Sequence, residues 1–320
     1  MNLYIIMENI QNQARIQGAK YIKDTKYILQ DCRLSISIVN NIITAIEMSL
    51  SPTLLIRYNP VIHFIRNIVK DSIPKITTNL CIELNDDTNE YIPLFCFSSG
   101  LSEHILIPDL YAMMKYSNRL SIKDAISYEQ KYKKAIFIGS STGSLIVELN
   151  ERLHMCNKYR NNPNIHCFIN NLCQVSEENT KEIYPNYNDF ITTSMTIENQ
   201  CKYRYIINID GNTTAWDRVP WILNSNSVLL MKNSKNKCWY TDFLIPNIHY
   251  IPFDNDTDLE AIVSSDEDRT DIIRNANQFV KDYLTHDKHI FYMKCLLQSI
   301  SDIPSSHTMG SKHIKHLLFV

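Results

Sequence analysis

Short apolar runs alternate with helix-length segments in the second half of the chain. The runs are AIFIG, IHCFI, YRYIINID, SVLLMK and HYIPF. Buried strands of a parallel sheet have continuous apolar runs, and strands that alternate with helices are typical of βαβ units. The segments between the runs predict helices at about 144–156 and 216–224, and two more helices follow at roughly 266–284 and 287–300. This half of the chain therefore predicts a parallel sheet covered by helices.

The first half of the chain has a less regular pattern. Residues 39–50 and 59–73 carry apolar side chains near the i, i+3, i+4 and i+7 positions, which predicts two amphipathic helices. The β-rich runs at 80–84 and 92–99 predict strands. Between Tyr111 and Lys134 the pattern is helical and increasingly charged, and it ends in the basic connector KYKK. We place a domain boundary at this connector.

Composition narrows the class of protein. The chain has 320 residues, 44 % of them hydrophobic, which is enough to build a core in each of two domains. Its 32 basic and 34 acidic residues give a net charge of −2, so no overall positive field would attract nucleic acid. The nine cysteines form no CxxC pair, and the N-terminal residues form neither a signal peptide nor a membrane span. Together these features predict a cytoplasmic location.

The segment AIFIGSSTG at 135–143 joins a buried strand to a loop with two glycines and three hydroxyl side chains. Ligands of open α/β sheets lie beyond the carboxyl ends of strands, and phosphates bind backbone N–H groups at helix N-termini. The loop is neither a Walker A motif nor GxGxxG. A phosphate cradle and an ordinary strand-to-helix turn are equally compatible with it.

A second loop of interest follows the run YRYIINID. Asp210, Gly211 and Asn212 suit a tight turn at the end of a strand. Arg218, a few residues later, would add a fork of charged donors at the start of the next helix. The pattern is compatible with a diphosphate site, and also with a surface arginine that caps a turn.

Several of these segments, taken in order, resemble glycosyltransferase family 90, the CAP10-like family that includes the protein O-glucosyltransferases. The matching segments are IPLFCFSSGLSEHILIPD, AIFIGSSTG, KYRYIINIDGN, WDR, SNSVLLMK, LIPNIHYIPF and RTDIIRNANQFVKDYL. The resemblance covers about 200 residues, from near Leu80 to near Leu284. Because several independent segments agree in order and spacing, they are stronger evidence together than any single segment would be.

The resemblance implies roles for individual residues. A carboxylate after the strand that precedes IPLFCFSS is the family's proposed general base, which implies Asp86, with Asp87 as the neighbouring alternative. Arg152 and Arg218 match the two arginines that contact the donor. The other implied donor-binding residues are Gly139, Ser140, Thr142, Asp210, Gly211 and Asn212.

The resemblance also implies a fold and an activity. The expected fold is GT-B, with two Rossmann-like α/β domains that face a cleft. We divide the chain into an acceptor-side domain at 1–130 with a helical N-terminal extension, a donor domain at 131–285, and a C-terminal helix and tail at 286–320. In GT-B proteins the last helices commonly cross back to the first domain, and this is one option for residues 286–320. The implied activity is inverting transfer of glucose or xylose from a UDP-sugar to a hydroxyl of a glycan or protein. No tightly bound cofactor and no metal are implied, and the alternative is a catalytically degenerate binding module.

One motif is set aside. Asp254 and Asp256 form a DxD sequence, which many glycosyltransferases use to bind a metal with a diphosphate. The motif follows HYIP, where the family has a solvated loop before a helix. We therefore expect these residues to cap that helix.

Overall fold

The computed structural model describes residues 3–21, 33–48, 55–86, 91–92, 94–114, 120 and 123–301. The chain forms two compact units. Unit 1 contains residues 1–116, 236–240 and 282–320, and unit 2 contains residues 117–235 and 241–281. The sequence-based division had its boundaries after residues 130 and 285, whereas the units change at 116/117 and 281/282.

In chain order, the helices and strands are α1 (Leu3–Gly18), β1 (Arg33–Val39), β2 (Ile42–Met48), α2 (Leu55–Lys70), β3 (Thr78–Glu83), β4 (Phe95–Cys96), β5 (Ile105–Leu106), α3 (Leu110–Met113), β6 (Tyr132–Ser140), α4 (Glu151–Tyr159), β7 (Ile165–Asn171), α5 (Glu177–Ile183), α6 (Ile197–Gln200), β8 (Tyr203–Asn208), α7 (Arg218–Leu223), β9 (Val228–Lys232), β10 (Ile251–Phe253), α8 (Asp256–Ser264), α9 (Thr270–Tyr283) and α10 (His286–Ser301). The α/β class predicted from the sequence is confirmed.

Unit 1 is built around a mixed sheet with strand order β2-β1-β3-β4-β5. β1 pairs antiparallel with β2 and β3, whereas β3, β4 and β5 are parallel. The antiparallel pairs distinguish this sheet from the parallel sheet of a Rossmann-like domain. α10 packs against α1, α2, α3 and β3, and Tyr292 of α10 stacks on Trp239 with ring centroids 4.3 Å apart. The last helix therefore belongs to the core of unit 1.

The helix predicted at 39–50 is wrong, because residues 39–48 belong to the β1–β2 hairpin, and residues 49 and 50 lie outside the described residues. Asn40 and Asn41 form its two-residue turn with φ of 49° and 69°, values that asparagine tolerates better than most residues. The side-chain amide of Asn41 donates to the Ser72 carbonyl at 2.7 Å and accepts from the Ile76 N–H at 2.7 Å. Tertiary hydrogen bonds thus fix a turn that the apolar spacing did not indicate.

The helix predicted between Tyr111 and Lys134 is also wrong beyond α3 for the described residues. Lys131 of the connector is buried, and its Nζ donates to Asp124 Oδ2 at 2.6 Å, to Ser227 Oγ at 3.1 Å and to the Cys201 carbonyl. Asp124 also accepts from the Asn226 N–H at 2.8 Å. These bonds fasten the segment to the amino end of the unit 2 sheet, which is why unit 2 begins before the connector.

Unit 2 contains a parallel sheet with strand order β10-β9-β8-β6-β7. The strands predicted from apolar runs are confirmed, as are α7, α9 and α10. One face of the sheet forms a continuous core with α4 and α8, to which Phe137, Tyr205 and Ile207 contribute. α4 begins at Glu151, later than predicted, because a 3-10 turn at Val147–Leu149 precedes it.

Candidate active site

The order of strands in unit 2 identifies a candidate ligand site. β6 is the first strand of unit 2 in the sequence and lies between β7 and β8 in the sheet. The chain therefore continues to β7 on one side of β6 and then to β8 on the other side. Open parallel sheets bind ligands outside the carboxyl ends of the strands at such a switch point. The loops after β6 and β8 flank this position, and they contain the residues singled out in AIFIGSSTG and in IDGN. The fold therefore brings both predicted loops to one place.

Arg152, on α4, forms hydrogen bonds with both loops. Its side chain is buried and makes four hydrogen bonds. On the β6 side it donates to the Ser140 carbonyl at 3.0 Å and to Thr142 Oγ1 at 2.7 Å. On the β8 side it donates to the carbonyls of Ile209 at 2.9 Å and Asp210 at 3.1 Å. Most of its five N–H donors are thus committed to the protein, and its main contribution is to hold the loops and to place a positive charge beneath them.

Burial acts against the charge of Arg152. Desolvation lowers the pKa of its guanidinium, and the nearby carboxylate of Asp210 acts in the opposite direction. Arginine side chains keep their proton in folded proteins, so Arg152 contributes a positive charge. Asp210 in turn accepts a hydrogen bond from Ser234 Oγ at 2.6 Å.

The loop after β6 is held by side chains of unit 2. Asn150 caps α4 through the Leu153 N–H at 3.1 Å, and its amide donates to the Ser141 carbonyl at 2.8 Å. The Ser141 N–H donates to the Asn171 carbonyl at 3.0 Å. The Gly143 N–H donates to Gln174 Oε1 at 3.1 Å and to Asn212 Oδ1 at 3.2 Å. Two N–H groups that would cradle a phosphate are therefore engaged with the protein.

Glycine is required where the two loops touch. Gly143 has φ of +133°, and a Cβ there would lie 3.4 Å from the Gly211 carbonyl oxygen. A Cβ at Gly211 would collide with Thr142 Oγ1 and lie 3.1 Å from Arg152 Nη2. A Cβ at Gly139 would lie 3.0 Å from the Phe137 ring and 3.1 Å from Arg218 Nη2. The scarce glycines of this chain thus permit the close approach of the loops.

Arg218 is the first residue of α7 and reaches back to β6. Its Nη2 donates to the carbonyl of Ile138, and its Cζ lies 5.0 Å from the centroid of the Phe137 ring. The Cζ of Arg152 lies 5.8 Å from the same centroid, so two guanidinium groups flank one buried ring. The switch point therefore has two positive charges.

Sequence reasoning missed Asn208, the last residue of β8. The residue is 2 % exposed, and within the described part of the chain its Oδ1 has no hydrogen-bond partner. An unsatisfied buried acceptor costs about 1–3 kcal/mol. The available signal was an amide at the end of the otherwise apolar run IIN.

Asp86 lies in unit 1, directly after β3. Its Oδ1 accepts from Arg57 Nη1 at 2.9 Å, and its side chain is 33 % exposed, so solvent reaches the carboxylate. Arg57 also donates to the Leu84 carbonyl at 2.5 Å. On the other side of the turn, Glu83 Oε1 accepts from the Asn85 N–H at 3.0 Å. The turn at 84–86 is thus held from both sides; Asp87 lies outside the described residues.

Glu83 is itself fixed by a buried ion pair with Arg33, whose Nε lies 3.3 Å from Glu83 Oε2. Burial raises the pKa of Glu83, and the Asn85 N–H and Arg33 oppose that change. Arg33 and Glu83 belong to neighbouring strands, β1 and β3. The pair therefore anchors the strand end that presents Asp86.

A cavity of about 320 Å³ lies beside the switch point, at the carboxyl ends of β8, β9 and β10. Four carboxylates contribute to its lining, those of Glu148, Glu151, Asp254 and Asp256. Lys232 also lines it and pairs with Glu151 at 2.9 Å. The negative balance disfavours a phosphate in this cavity.

The DxD residues have ordinary partners. Asp254 Oδ1 accepts from Asn233 Nδ2 at 2.8 Å, and Asp256 Oδ2 pairs with Lys158 Nζ at 2.5 Å. The cap of α8 is Asn255, which forms a capping box with Asp258, so the expected capping role belongs to these neighbours.

Across the described ranges, no group of three or more metal-ligating side chains could hold a metal ion. No described helix has the length and apolar character that a membrane span needs.

The family model of glycosyl transferase family 90 matches residues 85–316, well over half of the 320-residue chain. The chain belongs to this family. The match begins within the turn that carries Asp86 and includes both loops of the switch point. Arg33 and Arg57 precede the match.

Three known proteins share segments with the chain. Protein O-glucosyltransferase 2 of Danio rerio is 33 % identical over 107 residues, which are 32 % of this chain and 21 % of that protein. O-glucosyltransferase LpsA of Dichelobacter nodosus is 32 % identical over 95 residues, 28 % of this chain and 30 % of that protein. Protein 179R of Invertebrate iridescent virus 6 is 33 % identical over 115 residues, 32 % of this chain and 10 % of that protein. The chain thus spans less than a third of the length of each relative.

Among solved structures, the C-terminal domain of a glycosyl transferase group 1 family protein, LpcC of Francisella tularensis, aligns with 55 % of this chain and 94 % of that domain. The identity is 8 % and the TM-score is 0.31.

Proposed function

We propose that this chain is an inverting glycosyltransferase that moves glucose or xylose from a UDP-sugar to a hydroxyl of a glycan or protein. The observation that carries the proposal is the switch point of unit 2, where Arg152 and Arg218 lie at two closely packed glycine loops. Membership of glycosyltransferase family 90 and the names of two O-glucosyltransferase relatives support sugar transfer.

In the proposed reaction, Asp86 removes the proton from the acceptor hydroxyl while that oxygen attacks the anomeric carbon of the donor. The bond between the anomeric carbon and the phosphate oxygen breaks, and UDP leaves with the electron pair. Attack from the face opposite the leaving group inverts the anomeric centre. One base and one stabilised leaving group are sufficient, so the proposal includes no metal ion or other cofactor.

The electrostatics of unit 2 favour one position for the diphosphate. Positive groups aimed at the charge that develops on a leaving group lower the barrier to its departure. We place the diphosphate beside Arg218, with the buried charge of Arg152 behind it, rather than in the neighbouring cavity with four carboxylates. The cytoplasmic location and the independence from metal stay predictions.

The first expected result is slow release of free UDP when the purified chain is incubated with UDP-glucose or UDP-xylose. Water replaces the acceptor in this reaction, so the missing acceptor does not prevent the measurement. GDP-glucose, incubated under the same conditions, is the control for non-specific hydrolysis. Binding of UDP is measured in parallel by thermal shift, because a ligand at 100 times its Kd stabilises a protein by about 2.7 kcal/mol.

The two measurements separate the alternatives. Release of UDP from at least one UDP-sugar supports the transferase. Binding of UDP without any turnover would favour the degenerate binding module. If no UDP-sugar binds or reacts, the proposed function is wrong.

Arg57→Gln is expected to lower the rate of UDP release moderately. Arg57 fixes the orientation of the Asp86 carboxylate through the bond at 2.9 Å, so we expect UDP release to slow by about tenfold, or about 1.4 kcal/mol of activation free energy. The KM for the donor should not change, because Arg57 is assigned to the base and not to the donor. Arg57→Lys, which keeps the charge, should recover part of the loss. A changed KM with an unchanged kcat would contradict this positioning role.

A further inference from the structure

The amide of Asn208 is buried at the end of β8, after Ile206 and Ile207 of the same strand. The residue ends β8, and its backbone pairs with Met231 of β9. Tyr205 and Ile207 of the same strand belong to the large core on one face of the sheet. Successive side chains of a strand point to opposite faces, so Asn208 lies with Ile206 on the other face. α7 packs against β8 and β9 and contributes nothing to that core, which places it on the same face as Asn208.

This location is part of the switch point. Ile136 of β6 pairs with Ile206 of β8, so two residues further along, Ile138 lies beside Asn208. The carbonyl of Ile138 accepts a hydrogen bond from Arg218, the first residue of α7. Asn208 therefore lies at the carboxyl end of β8, next to the end of β6 whose Ile138 carbonyl accepts from Arg218.

The Oδ1 atom of Asn208 needs a donor that the described residues do not supply. Buried side-chain oxygens in native proteins nearly always have a hydrogen-bond partner, and an exception calls for an explanation. A leucine of similar size would fill the same space without an unsatisfied acceptor. The amide thus weakens the free protein, which is the pattern expected of a residue retained for a ligand.

We propose that Asn208 Oδ1 accepts a hydrogen bond from a hydroxyl group of the nucleotide-sugar donor. The proposal rests on the proposed function, because it assigns this residue to the same donor site. A nucleotide sugar offers such hydroxyls on the ribose and on the transferred sugar. Asn208 is therefore a residue that determines donor affinity, in addition to the glycines and arginines of the two loops.

The test compares the wild type with Asn208→Leu in two measurements. Thermal unfolding without ligand should show an equal or higher Tm for the variant, because the unsatisfied acceptor is gone. Calorimetric titration with UDP-glucose should show a Kd weakened by about 10- to 100-fold, the usual effect of a lost hydrogen bond in a buried site. A residue with a purely structural role would show the opposite, a lower Tm with an unchanged Kd.

Two further variants complete the design. Ile206→Val, on the same strand and face, is the matched control and should leave the Kd within about twofold. Asn208→Ala removes the same acceptor without adding bulk, so it gives the affinity should the leucine variant fail to fold. Titration with UDP alone identifies the hydroxyl: equal weakening for UDP and UDP-glucose points to the ribose, and weakening for UDP-glucose alone points to the transferred sugar.

The outcomes separate this inference from the proposed function. If the wild type binds UDP-glucose and both Asn208 variants bind it within about twofold, the inference is overturned and the proposed function stands. If the wild type binds neither UDP nor a UDP-sugar, both are overturned.

Discussion

Asp86→Asn is expected to lower the rate of UDP release by at least about 100-fold while the Kd for the donor stays unchanged. An amide has nearly the size of a carboxylate and keeps an oxygen that can accept from Arg57 at the observed 2.9 Å. It cannot take the proton of an attacking hydroxyl or water. The variant therefore removes the proposed base with little change in the turn that presents it, and initial rates of UDP release measure the effect.

The control for Asp86→Asn is Asp71→Asn, which changes an exposed carboxylate of the same unit and should leave the rate unchanged. Asp87→Asn is made in parallel because Asp87 is the neighbouring alternative. If Asp87→Asn loses turnover and Asp86→Asn does not, the base is the later residue. Full turnover in both variants would show that neither carboxylate is the base.

The parallel sheet of unit 2 could be predicted from the sequence because its central strands β6, β8 and β9 have continuous apolar runs that are buried. The hairpin of unit 1 could not be predicted in the same way. Residues 42–48 lie in an edge strand whose side chains are only partly buried, and their apolar spacing also fits a helix. The turn at Asn40 and Asn41 depends on hydrogen bonds to residues about thirty positions later, which no local pattern records.

The sequence was sufficient to predict which loops form the candidate site, but not which contacts each residue of the site makes. Sequence motifs identified both loops of the switch point and both arginines. They could not show that the Arg152 guanidinium is committed to backbone carbonyls, because those contacts exist only once β6 and β8 are neighbours. Asn208 was not predicted, because an amide in an apolar run becomes informative only when its burial and the missing partner of its Oδ1 among the described residues are known.

Arg152→Met is expected to destabilise unit 2 by roughly 3 kcal/mol, because one buried and three partly buried oxygens lose their donor, and an unsatisfied buried group costs about 1–3 kcal/mol. The affected acceptors are the carbonyls of Ser140, Ile209 and Asp210 and the hydroxyl of Thr142. Methionine fills the space of the aliphatic stem without supplying a donor. Urea unfolding measures the loss, and titration with UDP should show weaker binding because both loops are released.

Lys158→Met, on the same helix, is the matched control. Lys158 forms a partly exposed pair with Asp256, and such pairs contribute about 0–1 kcal/mol. Arg152→Lys separates charge from geometry, since an ammonium keeps the positive charge but cannot bridge two loops as a planar fork does. If Arg152→Lys is as unstable as Arg152→Met but binds UDP more tightly, the fork holds the loops and the charge attracts the diphosphate. If Arg152→Met unfolds like the wild type, the loops are held by other contacts, and Arg152 is not the residue that joins them.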